Sequence, residues 1–340
     1  MRDIIIGDIH GCYEELILLL KEVGYTENDR IISVGDIVDR GPDSLKVYEF
    51  FKENPQHVVV MGNHENKHVN QVLSYSQEIV KLQFGDRYSE FLKWAKDLPC
   101  YFETDSAIIV HASLEPDIAL EEQRKEVLIG STSGEKYLTN KYGPEDWTNL
   151  YKTQKPILFG HRVVGDVVQM YGDNIYGIET GACFGGYLSA ITLPDFKFFS
   201  IKSPKNYWKF EMEKWQVAVL RSKPWRKYEF EKIRREISKV KNSKQAEVSG
   251  FISGVENWFQ SLGTIYTNIK GILEYKAFQI LEKFEPGSAI QAAKEFEYSI
   301  FLILAMKNRL TVKYLEDSLR TPEKVFHLAR QLDLNVEDPF

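Results

Sequence analysis

Five short stretches join an apolar run to a side chain that can hold a metal ion. Ile4-Ile5-Ile6 leads into Gly7-Asp8-Ile9-His10-Gly11, and Ile31-Ile32-Ser33-Val34 leads into Gly35-Asp36. Val58-Val59-Val60-Met61 leads to Gly62-Asn63-His64-Glu65, Ile108-Ile109-Val110 to His111, and Ile157-Leu158-Phe159 to Gly160-His161. Four of the seven histidines fall at such places. Singly, each has an ordinary explanation: a cap, a Gly-Asn turn, or a hydrogen-bonded core histidine. One construction met five times is not explained that way. Asp8, His10, Asp36, Asn63, His111 and His161 mix carboxylate, imidazole and amide oxygen. That set suits Mn, Fe or Zn better than Ca or Mg alone. Six ligands exceed what one catalytic ion with an open position takes. Two ions sharing a carboxylate would use them, and a pair roughly 3.5–4 Å apart can clamp a phosphoryl oxygen.

The elements must bring these residues together. Asp3 to Ile6, Arg30 to Val34, His57 to Met61, Ala107 to Val110 and Pro156 to Phe159 read as short strands. Tyr13 to Val23 reads as a helix with Leu16, Leu19, Leu20 and Val23 on one face, and another helix opens after Pro42. Strands alternating with helices define an α/β domain, in which ligands gather beyond the carboxyl ends of the strands. The glycines let the backbone turn and approach a ligand closely. Asn174 to Ile178, Tyr187 to Leu193 and Lys197 to Ile201 read as a β-meander that finishes the domain. The expected division is 1–203 for this domain and 204–340 for a helical remainder. In that remainder helices are expected over Tyr228 to Val240, Val248 to Gln260, Ile265 to Phe284, Ser288 to about Asn308, and from Thr321 onward.

A chain of 340 residues, 43% hydrophobic and 27% charged, is neither disordered nor collagenous. Its longest apolar run near the C-terminus, Ile300 to Met306, is too short to span a bilayer, so no membrane partner is expected. There is no signal-peptide pattern, and three scattered cysteines fit a reducing cytoplasm. The charge is uneven. Residues 1–204 hold 20 Lys and Arg against 31 Asp and Glu, and residues 205–340 hold 23 against 18.

Gly7-Asp8-Ile9-His10-Gly11, Gly35-Asp36-Ile37-Val38-Asp39-Arg40-Gly41 and Gly62-Asn63-His64-Glu65 resemble the signature blocks of the PPP-type, calcineurin-like metallophosphoesterases. Gly177 to Gly186 is similar to the final block of bacterial members, which include Ser/Thr protein phosphatases and diadenosine tetraphosphatases. The resemblance covers about residues 1–202. It implies an α/β fold with a β-sandwich flanked by helices, here followed by an all-helical C-terminal extension. It implies two divalent ions, Mn²⁺ first with Fe or Zn as alternatives, held by Asp8, His10, Asp36, Asn63, His111 and His161, with Asp36 bridging. Arg40 and Asn63 would bind the phosphate. His64 would protonate the leaving oxygen, Asp39 would orient His64, and a metal-bound hydroxide would attack. Two departures stand out. A second phosphate-binding arginine has no clear place, Arg124 being in the right region only. Arg162 stands where an uncharged residue is expected.

Asp39 and Glu65 look more like the protein phosphatases, whereas Met61 leans the other way. The expected reaction is therefore hydrolysis of phosphomonoesters, phosphoserine and phosphothreonine first, on a phosphorylated protein or a small phosphoester. The alternative is symmetrical bis(5'-nucleosyl)-tetraphosphate cleavage. A reading of another class makes the chain a nucleic-acid or protein binding module with a secondary metal site. Residues 221–244 carry 10 Lys and Arg against 3 Asp and Glu, and Trp225 and Tyr228 could stack on bases. A solvated helix, with Glu231–Arg235 and Lys232–Glu236 spaced four apart, is the simpler account.

Overall fold

The computed structural model describes residues 2–152 and 154–336. These divide into two compact units, the first running to Val219 and the second starting at Leu220.

The first unit holds two five-stranded sheets. One contains β1 (Asp3–Ile6), β2 (Arg30–Ser33) and β3 (Val58–Val59), with β9 (Tyr187–Leu193) and β10 (Lys197–Lys202). Its order is β10-β9-β1-β2-β3. The other contains β4 (Tyr101–Glu103), β5 (Ile108–Val110), β6 (Ile157–Phe159), β7 (Gln169–Tyr171) and β8 (Ile175–Gly177). Its order is β4-β5-β6-β8-β7. The strands that lead to the donor residues pair in parallel: β1 with β2, β2 with β3, and β5 with β6. Parallel pairing puts their carboxyl ends on one side of each sheet.

The apolar runs are continuous because both faces of these strands are covered. Ile5, Ile32, Ile109 and Leu158 pack together between the sheets. Their neighbours Ile4, Ile6 and Ile31 turn the other way, into a cluster with Leu16, Leu19 and Phe91 of the flanking helices. Ile108, Val110, Ile157 and Phe159 face outward on the second sheet, against Trp147 and Leu128. The period-two alternation thus builds three cores from two sheets.

Three expectations change. The meander forms only in its second half, where β9 pairs antiparallel with β10. β8 pairs with β6 and β7, whereas β9 pairs with β1 in the other sheet. Gly181 and Gly185, both in the left-handed region at φ 79° and 89°, bracket the turn that carries the chain across. Second, Tyr207–Ser222 is a helix whose start belongs with the first unit. The Tyr207 hydroxyl donates to Glu15 at 2.8 Å, and that of Tyr75 donates to the Met212 carbonyl at 2.8 Å. The division therefore falls after Val219 and not at Ser203. Third, Ala246–Lys283 is one helix of 38 residues. Leu262 continues its buried stripe from Val248, Ile252, Val255 and Trp258 into Ile265, Ile269 and Leu273. Burial of that stripe outweighs the roughly 1 kcal/mol cost of Gly263. The Ser288–Asn308 pattern instead splits into Pro286–Ala293 and Ser299–Met306. Tight turns intervene, with Glu295 N bonded to Ala292 O and Phe296 N to Ala293 O.

Candidate metal centre and its surroundings

The loops after β1, β2, β3, β5 and β6 bring the six donor residues together. Asp36 lies at the middle. One group of potential ligand atoms is His10, Asp36 and His64, and a second is Asp36, His111 and His161. Asp36 belongs to both. Its Oδ2 stands 3.8 Å from His10 Nε2, 3.8 Å from His64 Nε2 and 3.5 Å from His111 Nε2. Asn63 Oδ1 lies 3.1 Å from His111 Nε2 and 3.0 Å from His161 Nδ1. Asp8 is buried and accepts the backbone N–H of His161 at 3.0 Å.

The imidazoles are oriented from behind. His10 Nδ1 donates to the Val38 carbonyl at 2.9 Å, and His111 Nδ1 donates to the Val34 carbonyl at 3.0 Å. With Nδ1 carrying the hydrogen, each Nε2 turns a lone pair toward the Asp36 carboxylate. Gathered around that carboxylate, these Nε2 atoms could share a bound cation with it, and Arg40 Nη1 already brings positive charge to 2.8 Å from His10 Nε2. The charge balance of the cluster likewise favours added positive charge. Burial, then the neighbouring Asp36 charge, push the Asp8 carboxyl up to about 7. Burial opposes charge on His111, but Asp36 and Asp8 outweigh it and raise its pKa to about 9. The donor set therefore fits divalent metal.

Local backbone pays for this convergence. His10, Asp36, Asp39, Arg40 and His161 all have φ between 45° and 75°. Such left-handed, non-glycine residues cost on the order of 1–3 kcal/mol each and gather at functional sites. Two glycines make room for carboxylates. A Cβ on Gly62 would stand 2.1 Å from Asp36 Oδ1, and one on Gly160 would stand 2.0 Å from Asp8 Oδ1.

His64 lies in the first turn of a helix, Asn63–Val69, and its Nδ1 is 2.5 Å from Asp39 Oδ2. Asp39 is fully buried. Burial works to raise its pKa, but His68 and His64 more than reverse that and hold it below the usual range. Arg40 extends Nη1 to 2.8 Å from His10 Nε2, and its guanidinium lies 5.3 Å from the Phe184 ring.

Sequence reasoning gave no supporting role to four residues that frame the site. Glu65 Oε2 accepts the backbone N–H of Asp36 at 2.9 Å and of Gly62 at 3.1 Å, and Oε1 accepts that of Ile37 at 3.0 Å. It clamps two of the loops to each other. His68 bridges Asp39 at 3.0 Å and the Tyr88 hydroxyl at 2.9 Å. Gln77 reaches Asp39 with Nε2, and its Oε1 accepts the N–H of Ser74 at 3.1 Å. The Ser74-x-x-Gln77 spacing is a capping-box signal that could have located it. Glu135 meets His161 Nε2 at 3.1 Å.

Neither remaining arginine stands free beside the donors. Arg124 stacks 4.2 Å from the Tyr137 ring and lies 4.0 Å from Glu115. Arg162 pairs with both oxygens of Asp146. Trp225 is 1% exposed and donates to the Leu220 carbonyl, so it offers no stacking surface. Nearby cations are paired, Lys223 and Lys239 with Glu236 and Arg221 with Glu247.

Two sheets, parallel strand ends and a carboxylate shared by two donor groups define a metal-dependent phosphoesterase. The chain belongs to the calcineurin-like phosphoesterase family, whose model matches residues 1–177. It is similar to PrpE of Anoxybacillus flavithermus, an asymmetrical bis(5'-nucleosyl)-tetraphosphatase. Identity is 30% over 234 residues, covering 60% of this chain and 95% of that protein. The corresponding protein of Oceanobacillus iheyensis is 32% identical over 235 residues, with 60% and 93% covered. Among solved structures, a Saccharomyces cerevisiae serine/threonine phosphatase aligns at 16% identity and TM-score 0.44, covering 60% of this chain and 79% of that one. No helix among the described residues is long and apolar enough to cross a membrane.

Proposed function

We propose that the chain hydrolyses a phosphoanhydride of a dinucleoside tetraphosphate, in the asymmetrical manner named for its relatives. The observation that carries the reaction type is Asp36, common to two donor groups, with the His64–Asp39 pair against it. His10 and Asp36 would hold one divalent ion, and Asp36, Asn63, His111 and His161 the other, with Asp8 beside them. Manganese is the first choice for both. When bound, such ions polarise a phosphoryl oxygen and make a nucleophile available at neutral pH. Arg40 binds phosphate oxygens through its guanidinium fork, with the Asn63 amide beside it. His64 delivers a proton from Nε2 to the leaving oxygen. Asp39 keeps the other proton on Nδ1, and His68 and Gln77 keep Asp39 in place.

Phosphoserine and phosphothreonine lose the support that Asp39 and Glu65 gave them. Both residues turn toward the frame of the site: Asp39 to His64, His68 and Gln77, Glu65 to backbone N–H groups. These contacts frame the centre and by themselves favour neither kind of ester. The test is product analysis on Mn²⁺-loaded protein. A mononucleotide with a nucleoside triphosphate in equal amounts supports the proposal. Two diphosphates would assign symmetrical cleavage, and turnover of phosphopeptides alone would reject the dinucleotide.

A further inference from the structure

A cavity of about 250 Å³ opens beside His161, and neither Arg40 nor His10 lines it. It lies within the first unit, between the loop after β5, helix Thr132–Tyr142 and the short helix Trp147–Leu150. We infer that this cavity receives a neutral, amino-bearing heteroaromatic base at one end of the substrate. This rests on the dinucleotide reading above.

Size comes first. Pockets for drug-sized ligands run about 300–1,000 Å³. This one is smaller and takes a single ring system, not a peptide segment or a whole dinucleotide. Its walls come second. Leu138, Tyr142 and Trp147 supply apolar and aromatic surface. Trp147 is held edge-on to Phe159 at 5.2 Å, so the wall is rigid. Stacking on such a surface needs no particular base sequence.

Charge then excludes the phosphates. Glu135, Glu145 and Asp146 line the cavity against a single guanidinium, Arg162. Asp146 already neutralises that guanidinium, and it caps Trp147–Leu150 by accepting the Thr148 N–H at 2.9 Å. Arg162 is thus a fixed piece of wall and not a phosphate ligand. A polyphosphate chain is repelled here. Carboxylate oxygens instead accept hydrogen bonds from exocyclic amino groups. The substrate accordingly runs from Arg40 past Asp36 to His161, with phosphates over the donor residues and one base in the cavity.

The experiment uses the full chain loaded with Mn²⁺. Thr139 is exposed on the cavity rim, so Thr139→Trp fills the space without touching the core. The readout is kcat/KM for diadenosine tetraphosphate divided by kcat/KM for inorganic tripolyphosphate, which has no base. The ratio should fall about tenfold or more, in line with the loss of one stacked base. A second readout needs no variant. Adenosine should inhibit dinucleotide hydrolysis competitively, and Thr139→Trp should weaken that inhibition by a similar factor. An unchanged ratio from a variant with unaltered melting, or adenosine inhibiting both proteins equally, overturns the cavity assignment alone. No turnover of the dinucleotide by the unaltered protein overturns the reading beneath it.

Discussion

At the residue scale, the centre works by placing lone pairs. His10 and His111 donate their Nδ1–H groups to carbonyls outside the cluster, which would leave Nε2 to serve as ligand in the proposed centre. Gly62→Ala sets a methyl group 2.1 Å from Asp36 Oδ1 and must displace it. We expect the bound metal to fall by more than half and turnover by about a hundredfold. Metal content by mass spectrometry checks this, and full occupancy with full turnover would refute the crowding argument. His64→Asn separates two roles. His64 Nε2 is close enough to Asp36 to share an ion, and its Nδ1 pairing with Asp39 suits a proton donor. As donor, its loss should keep the metal and slow poor leaving groups by about 10²–10⁴, good ones far less. If all esters slow equally, the donor role is wrong.

At the element scale, most of the support comes from helix starts and strand ends. Gln77 bonds backwards to the Ser74 N–H and forwards to Asp39. Gln77→Ala should therefore destabilise by about 1–2 kcal/mol and reduce turnover as well. Ser74→Ala should destabilise similarly, with a smaller effect on rate. Equal losses of rate would deny the link to Asp39. A second pairing ties the start of β1 to the loop before β2. Arg2 donates to Asp29 at 2.7 and 3.0 Å, and these bonds first of all hold the Asp29 pKa below its ordinary value. Asp29 thus binds its proton less readily folded than unfolded. The stability it adds is present above about pH 4 and is lost as pH falls through the folded value. Arg2→Ala should cost about 0.5–1 kcal/mol at pH 7 and less at pH 3, because the contribution shrinks as pH falls below the unfolded value. Thermal melts at the two pH values decide it.

At the scale of the whole molecule, two compact units share one chain, and only the first contains the donor cluster. Mn²⁺ at a hundred times its dissociation constant adds about 2.7 kcal/mol to whatever binds it. The melting transition of the first unit should rise by about 5–10 °C, and that of the second should not move. Calorimetry with and without a chelator tests this, and a rise in both transitions would show one cooperative body. The helix Tyr207–Ser222 also belongs in this account. A chain ended after Ser222 keeps the Tyr207–Glu15 and Tyr75–Met212 bonds, and one ended after Ser203 loses both. The shorter chain should melt at least about 4 °C lower.

Local pattern alone carried much of this protein. β1, β9 and helix Tyr13–Val23 lie where apolar runs and periodicity place them, because nearest-neighbour burial decides such elements. The convergence of the six donor-type residues was legible too, since each follows an apolar strand. Only the tertiary structure decided what stands behind them. Glu65, His68, Gln77 and Glu135 act on residues far along the chain, and no local spacing encodes a bond from Gln77 to Asp39 across 38 positions. The transfer from β8 to β9 was hidden for a similar reason. Three strand-like runs in a row suit a meander as well as a crossover. Pairing with β1, near the opposite end of the unit, settles the choice. The fate of Arg162 was also outside local reach: its place beside His161 left its role open, and it is Asp146, 16 positions earlier, that takes it.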